Sequence, residues 1–255
     1  MTGPNGASPA STAAPRSGFW AESLDALRYP LRPRTLLFLA AAALGLTVKP
    51  LVAGLLGPGL AQTLQTPLVA VAGVTGLAAL VLLPQFFVDI IRRSAAGEDA
   101  APAWPGFPDP AALLARSLKM VAVLLWPLLP LLLYAAALGD RRPSIAAVAA
   151  LLALAALYLP MSLLRLAVTG RLWPSLLPSN VIEPVVASFR RSWKIWLATL
   201  AVLLYLPASA LPARIPVAGP TIAVLAGLYC WSCLMRALGR FYGGERERLN
   251  WGGEV

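Results

Sequence analysis

The chain contains no histidine among its 255 residues. This absence excludes a histidine general base, a catalytic triad and any histidine-ligated metal site. Only two cysteines are present, Cys230 and Cys233, which are too few for a disulfide framework. Charge is also scarce, since Asp, Glu, Lys and Arg make up 13% of the residues. Catalysis therefore has few candidate residues, and we expect neither an enzyme nor a cofactor or metal site.

Apolar sequence takes the place of these missing groups. Hydrophobic residues make up 58% of the chain, which is more than a soluble domain of this length carries. A helix of about 20 apolar residues crosses a bilayer. Runs of that order lie at 35–57, 67–91, 118–138, 145–168, 193–211 and 217–236. The composition predicts an all-α polytopic membrane protein with six transmembrane helices.

The six predicted spans form a single transmembrane domain at 19–243. A Gly-, Ala- and Pro-rich N-terminal tail precedes it at 1–18, and its composition predicts disorder. A short cytoplasmic tail, 244–255, follows it. In the second span, Gly73 and Gly76 predict close contact with a neighbouring helix, because glycine lets two backbones approach.

The distribution of basic residues predicts the topology. Basic residues outnumber acidic ones 21 to 11, which leaves a formal net charge of +10. They sit at the ends of apolar runs rather than on one patch, so no nucleic-acid partner is indicated. All but Lys49, Arg141, Arg142 and Arg214 fall on one side of the predicted spans. Since Lys and Arg accumulate on the cytoplasmic side, we expect a bacterial inner-membrane protein with both termini in the cytoplasm.

Lys49 lies inside the first predicted span, towards its far end. It either extends its side chain to the far headgroups or is a buried functional lysine.

The six spans are predicted to form three repeated helical hairpins. An amphipathic stretch precedes each odd-numbered span, at 20–31, 109–119 and 180–193, and Asp109 and Asn180 are predicted helix caps. An arginine ends each return span at nearly equal spacing. These arginines are Arg92, Arg165 and Arg236. We interpret the three stretches as interfacial amphipathic helices; the alternative for the first is a soluble helix that packs on its own protein.

Charged and aromatic residues near the inner ends of the spans predict an interfacial collar against anionic lipid headgroups. Its members are Trp20, Asp89, Arg92, Arg93, Lys119, Arg165, Arg190, Arg191, Lys194 and Arg236. In this interpretation Asp89 forms a local ion pair with Arg92 or Arg93. The alternative is a proton or solute relay, since charges within spans are functional candidates by default.

Cys230 and Cys233 form a Cys-x-x-Cys pair within the last predicted span. A redox pair needs an activated thiolate, and a zinc site needs further ligands. Neither condition is indicated here, so we interpret both cysteines as small packing residues. The sequence also contains no glycine-rich phosphate loop.

The first predicted cytoplasmic loop has a distinct pattern. After a span that ends in Ile-Ile-Arg-Arg, the chain carries Gly97, Glu98, Asp99, Pro102 and Trp104. This loop resembles that of an uncharacterised family of bacterial and archaeal multi-pass membrane proteins. The Tyr29-Pro30 pair before the first span and the Leu-Met-Arg-Ala sequence around Arg236 are similar to that family as well. The resemblance implies an integral membrane protein and transfers no catalytic residue.

Two functions are open at this point. The first is a non-catalytic membrane subunit or scaffold that binds a protein partner at its basic cytoplasmic face, with the loop 97–104 as the contact. The second is a small-solute permease or channel, whose helices would be interrupted at Pro127, Pro130, Pro160 and Pro207. The middle thirds of the spans contain almost no ionisable residue, and ion coupling needs such ligands. The scaffold is therefore favoured.

Overall fold

The computed structural model describes residues 19–63, 65–102, 109–139, 143–215, 218–249 and 251. These ranges are almost entirely helical and contain no strand. The α-helices are α1 (Phe19–Arg28), α2 (Pro33–Thr63), α3 (Gln65–Ala95), α4 (Pro110–Leu125), α5 (Leu129–Leu138), α6 (Ile145–Thr169), α7 (Leu172–Leu176), α8 (Pro178–Ala208) and α9 (Gly219–Leu249). Short 3-10 turns lie at Tyr29–Leu31, Trp126–Leu128 and Pro212–Arg214. The predicted all-α class is confirmed.

Five of the described segments are long and apolar enough to cross a bilayer. They are Pro33–Val52, Val69–Ala95, Pro110–Leu138, Ile145–Thr169 and Gly219–Leu249. The remaining predicted span falls on α8, whose described apolar segment, Trp193–Tyr205, is shorter than these five. The chain is therefore a multi-pass helical membrane protein.

Two of the three amphipathic stretches are the first turns of longer helices. Asp109 caps α4 as predicted, because its Oδ1 accepts hydrogen bonds from the backbone N–H groups of Ala111 at 3.0 Å and Ala112 at 3.2 Å. The predicted cap at Asn180 is wrong, since α8 already begins at Pro178. Proline suits the first turn of a helix, where its missing N–H needs no partner and its fixed φ matches the helix.

Prolines interrupt the third span but not the fourth. The 3-10 turn Trp126–Leu128 separates α4 from α5, with Pro127 inside it and Pro130 just after it. Proline removes a helical hydrogen bond and its ring clashes with the preceding turn. α6 nevertheless continues as an α-helix through Pro160, so the interruption expected there is wrong.

The helices α3, α6 and α9 contact one another and form the centre of the bundle. They carry many of the largest fully buried apolar side chains. Among these are Ile90, Ile91, Leu159, Met161, Leu163, Leu164 and Leu234. Each of these three helices also packs against one further long helix: α3 against α4, α6 against α8, and α9 against α2. The core is thus apolar and shared by all the long helices.

The close helix contact lies at other glycines than predicted. No described atom of a neighbouring helix is within 4 Å of a Cβ placed at Gly73 or Gly76, so that prediction is wrong. On α9, a Cβ at Gly239 would collide with the carbonyl oxygen of Ile91, and one at Gly243 would lie 2.8 Å from the carbonyl oxygen of Ala95. A pair of small residues three or four apart marks a contact only when its face of the helix points at a neighbour.

Candidate functional site

Four segments meet at one end of the bundle around a buried arginine. They are α1, the 3-10 turn that follows it, the end of α3 with its loop, and the second half of α9. At their centre the side chain of Arg236 is 0% exposed. A guanidinium removed from water is strongly destabilising unless its charge and its N–H groups find partners. We call Arg236, Arg240, Asp25 and Asp99 the Arg236 cluster.

All five N–H donors of Arg236 have an acceptor, in the cluster or at the end of α3 and its loop. Nε and Nη2 donate to Asp25 Oδ2 at 3.1 Å and 3.0 Å, and Nη2 also donates to Asp99 Oδ1. Nη1 donates to Ser94 Oγ at 3.1 Å and to the carbonyl oxygen of Glu98 at 2.7 Å. The planar fork of arginine makes this possible, because its donors point in fixed directions that separate partners can meet. One side chain thereby holds three segments in place.

Further cations and one aromatic ring complete the surroundings. Arg240 also donates to Asp99 and lies 3.7 Å from Asp25, and Arg32 lies 3.9 Å from Asp25. The buried ring of Tyr29 has Arg236 Cζ 4.8 Å and Arg32 Cζ 5.1 Å from its centroid. Cations over a tyrosine face are attracted by its quadrupole. The two carboxylates are therefore surrounded by positive charge and are not free to bind a metal ion.

The electrostatics of the site follow from this arrangement. Partial burial acts to raise the pKa of Asp99, but the hydrogen bond from Arg236 and the charges of Arg240, Arg236 and Arg32 outweigh it and hold the pKa below its usual value. Burial raises the pKa of Tyr29 to about 12, against the opposing effect of the nearby arginines. At neutral pH Asp99 is thus an anion, as its hydrogen bonds with Arg236 and Arg240 require. Tyr29 is a neutral phenol, whose ring face attracts the nearby arginines.

Several predicted collar residues bind backbone carbonyls at this same end. Arg92 Nε donates to Ala167 O at 2.7 Å and Lys119 Nζ to Gly170 O at 3.2 Å, both at the C-terminal end of α6. A helix C-terminus carries partial negative charge and unpaired carbonyls, which cations satisfy. In addition, Arg165 Nη1 donates to the carbonyl oxygen of Asn180 at a distance of 2.6 Å. The Cζ of Arg165 lies 5.6 Å from the ring centroid of Trp251.

Asp89 does not form the predicted local ion pair. Its Oδ1 accepts a hydrogen bond from Gln85 Nε2 at 3.1 Å, one turn earlier in α3. Neither Arg92 nor Arg93, which follow Asp89 in the described part of α3, lies within ion-pair distance of its carboxylate. Arg93 approaches Glu98 instead, at 3.7 Å.

The other predicted site residues are placed as follows. Lys194 Nζ lies 5.7 Å from the ring centroid of Trp193. Gly97 adopts a left-handed φ of 80°, which lets the chain turn out of α3, and Pro102 is buried. The backbones of Trp20, Arg190 and Arg191 belong to α1 and α8, but their side chains, like the whole of Trp104, lie outside the described residues.

Several cavities lie elsewhere between the described helices, and two of them bear on function. A polar one of about 210 Å³ is lined by Pro84, Gln85, Val88, Arg92, Arg116, Lys119, Leu166 and Gly170. An apolar groove of about 480 Å³ is lined by Trp126, Pro127, Pro130, Leu154, Leu157, Tyr158, Pro178, Val181, Ile182 and Val185. The free cysteines Cys230 and Cys233 lie on α9, partly exposed and away from both linings.

Residues from the Tyr29-Pro30 pair, the loop after α3 and the Leu-Met-Arg-Ala sequence converge on the Arg236 cluster. Tyr29, the loop residues Glu98 and Asp99, and Arg236 itself are in direct contact. The carboxylates of Asp25 and Asp99 and the guanidinium of Arg236 lie at the same predicted end of the bundle. Because these residues are far apart in the chain, the sequence does not reveal that they pair. Compared with protein-family models, with curated proteins and with solved structures, the chain gives no match in any of the three.

Proposed function

We propose that the chain is a non-catalytic membrane subunit or scaffold that presents a basic surface to a protein partner. The observation that carries this proposal is the Arg236 cluster, in which one buried guanidinium ties α1, the loop after α3 and α9 together. A surface held in a single arrangement loses less conformational entropy on binding. Exposed arginines, among them Arg28 and Arg171, surround this end of the bundle and suit an acidic partner surface.

The interior supports the same proposal. Five buried hydroxyls in the spans donate to a carbonyl about one turn back in their own helix, whereas the buried hydroxyl of Thr35 has no partner among the described residues. The pairs are Thr47 to Ala43, Ser117 to Leu113, Ser162 to Leu159, Thr199 to Ile195 and Ser232 to Leu228. Their donors are therefore occupied, and the side chains between them are apolar. A transported polar solute needs exchangeable polar groups near the bilayer midplane.

The ion pair between Asp25 and Arg236 favours six crossings. Asp25 precedes the first span, while Arg236 lies in the second half of the last helix, and the two are 3.0 Å apart. Contact between them requires both ends of the spanning region to lie on one side, which an even number of crossings provides. α8 has 31 residues, about 46 Å at 1.5 Å per residue, and is long enough to supply the sixth.

Corresponding contacts support the hairpin repeat. Tyr158 and Tyr229 each precede their arginine, Arg165 or Arg236, by two helical turns. Each hydroxyl donates to a backbone carbonyl oxygen that lies just before the next hairpin. Tyr158 donates to Leu176 O at 2.6 Å, ahead of α8, and Tyr229 donates to Leu27 O at 2.5 Å, ahead of α2. We interpret the chain as three hairpins in a closed ring, each preceded by an amphipathic segment.

Labelling tests the proposed topology of a bacterial inner-membrane protein with both termini cytoplasmic. In a background with Cys230 and Cys233 changed to serine, we expect a membrane-impermeant maleimide to modify Pro143→Cys in intact cells. The same reagent should reach Ala96→Cys only after permeabilisation, because that position lies at the opposite end of the bundle. Labelling of Ala96→Cys but not Pro143→Cys in intact cells would show the reverse orientation.

Charge reversal tests the scaffold role. In mild detergent we expect the wild-type protein to co-purify with a stoichiometric acidic partner, identified by mass spectrometry. Arg28→Glu combined with Arg171→Glu should remove at least nine-tenths of that partner, because the new carboxylates repel it. The control is Lys49→Glu, since Lys49 is equally exposed but lies near the other end of its span. Equal partner loss in the control variant would argue against a specific surface.

The permease remains as a second candidate because of one observation. The third span is interrupted by the 3-10 turn Trp126–Leu128, and the apolar groove opens beside that break. A purified protein without any partner that moves a solute in liposomes, and stops when Pro127 and Pro130 become alanine, would favour transport over the scaffold.

A further inference from the structure

We propose that the polar cavity between α3, α4 and α6 binds the phosphate of one anionic phospholipid. We call it the Arg116 pocket, after the exposed arginine on α4 at its edge. Its volume is about 210 Å³, and since a water occupies roughly 30 Å³ of liquid, it has room for a phosphate group. The inference depends on the membrane placement and the hairpin repeat proposed above but not on the scaffold role.

Three cations in the pocket have N–H donors to spare. Arg92 uses only Nε, for Ala167 O, and leaves both terminal nitrogens available. Lys119 makes one hydrogen bond, to Gly170 O, of the three that an ammonium can donate. Arg116 makes no hydrogen bond or ion pair within the part of the chain that the structure describes. Arginine and lysine donors of this kind are the usual protein ligands of phosphate.

The groups of opposite sign nearby do not neutralise the pocket. Asp89 is the carboxylate whose charge interacts with Arg92, Arg93 and Arg116, and it also accepts the hydrogen bond from Gln85. The partly negative C-terminus of α6 is already bound by Arg92 and Lys119. Among the described residues, three cations therefore face a single carboxylate, Asp89, and the cavity keeps a net positive charge that favours an anion.

The pocket occupies a position that is filled in the other two hairpins. Two turns before Arg165 and Arg236 stand Tyr158 and Tyr229, whose hydroxyls bind the segment that begins the next hairpin. The corresponding residue of α3, two turns before Arg92, is Gln85. Its amide turns back to its own helix instead of reaching α4, and the space between the helices stays open. A bound ligand can link α3 to α4 here, as the tyrosine hydroxyls link α6 to α7 and α9 to α1.

The walls of the pocket favour a lipid over a free phosphate ion. It lies at the last turns of α3 and α6, where the spans end and lipid phosphates are found. Its remaining lining includes the apolar side chains of Pro84, Val88 and Leu166. A phospholipid satisfies both parts, with its phosphodiester on the cations and its glycerol and upper acyl chains on the apolar wall. Basic pockets between spans are suited to such headgroups.

Native mass spectrometry of the full-length protein in detergent, titrated with phosphatidylglycerol or phosphatidylcholine, tests the pocket. We expect one tight phosphatidylglycerol and only weak phosphatidylcholine binding. Arg116→Gln and Lys119→Gln should each weaken phosphatidylglycerol binding by about tenfold, the value of a charge-assisted hydrogen bond. Arg116→Gln removes no hydrogen bond or ion pair of the described residues, only a longer-range attraction to Asp89, so a broken fold contact does not explain its effect.

The matched control is Arg34→Gln, which removes one exposed cation from α2 at the same end of the bundle. It should change phosphatidylglycerol binding by less than about twofold, as screened surface charge does. Equal affinity in Arg116→Gln and Arg34→Gln would overturn the pocket. Displacement of the lipid from the wild-type protein by millimolar inorganic phosphate would overturn the lipid as the source of the phosphate. Neither result affects the partner test, which changes Arg28 and Arg171.

Discussion

Replacing Arg236 with methionine is expected to lower the free energy of unfolding by about 3 kcal/mol, the low end of the range for breaking a buried ion pair. Methionine keeps much of the apolar contact, so the loss comes from five hydrogen bonds and the charge. Asp25 and Asp99 then lose their central cation. The low end applies because these carboxylates are 34% and 64% exposed, and water partly solvates them.

Thermal unfolding in detergent measures this effect. A thiol-reactive dye reports on Cys230 and Cys233, which are partly buried in the folded chain. A loss of this size lowers the melting temperature by roughly 6–12 °C for a chain of this length. Arg240→Met is the matched control, since Arg240 lies one turn further along α9, contacts the same two carboxylates and is 36% exposed. It should cost less than about 1 kcal/mol; equal losses in the two variants would contradict the role of burial.

Gly239→Ala is expected to destabilise the protein by about 3 kcal/mol, the upper end for overpacking a tight interface. The added methyl group would collide with the carbonyl oxygen of Ile91 and the Cβ of Ser94 and would lie 3.2 Å from the backbone nitrogen of Ala95. Two of these are backbone atoms of α3, which cannot turn away as a side chain can. The helices must separate, and Ser94 then moves away from Arg236.

Gly244→Ala supplies the control with the opposite sign. No atom of the described residues lies within 4 Å of a Cβ at Gly244, which is also exposed on α9. Alanine is favoured over glycine inside a helix by about 0.5–1 kcal/mol, so this variant should be slightly more stable than the wild type. Unfolding in detergent, followed with the same dye, compares the two. A stabilising or neutral Gly239→Ala would show that α3 and α9 are not in close contact there.

Local features of the fold were predictable because local physics decides them. Apolar runs long enough to cross a bilayer form helices there, since every backbone polar group must be satisfied within its own segment. Asp109 followed by Pro110 marks a helix start that the structure confirms. The predicted cap at Asn180 is wrong because Pro178, which also favours a helix start, lies earlier in the chain and begins α8. Rival local signals are settled by the surrounding structure.

Contacts across the bundle could not be predicted in the same way. Gly73 and Gly76 have the composition of a helix contact but face no neighbour within 4 Å, whereas Gly239 and Gly243 do. The difference is the rotation of each helix about its axis, which depends on the packing of all its neighbours. Asp89 likewise binds Gln85 rather than the arginines that follow it, because Arg92 extends to the end of α6.

The sequence by itself determined that this protein is helical and multi-pass, and that its charge concentrates at the ends of its apolar runs. Both properties follow from the cost of placing polar groups in hydrocarbon, and this cost can be summed along the chain without knowing the fold. Only the tertiary structure decided that Asp25, Asp99 and Arg236 form one buried cluster and that a basic cavity opens beside Gln85. These depend on residues from separate helices meeting at fixed angles and distances, and a fully buried guanidinium tolerates no other arrangement of its partners.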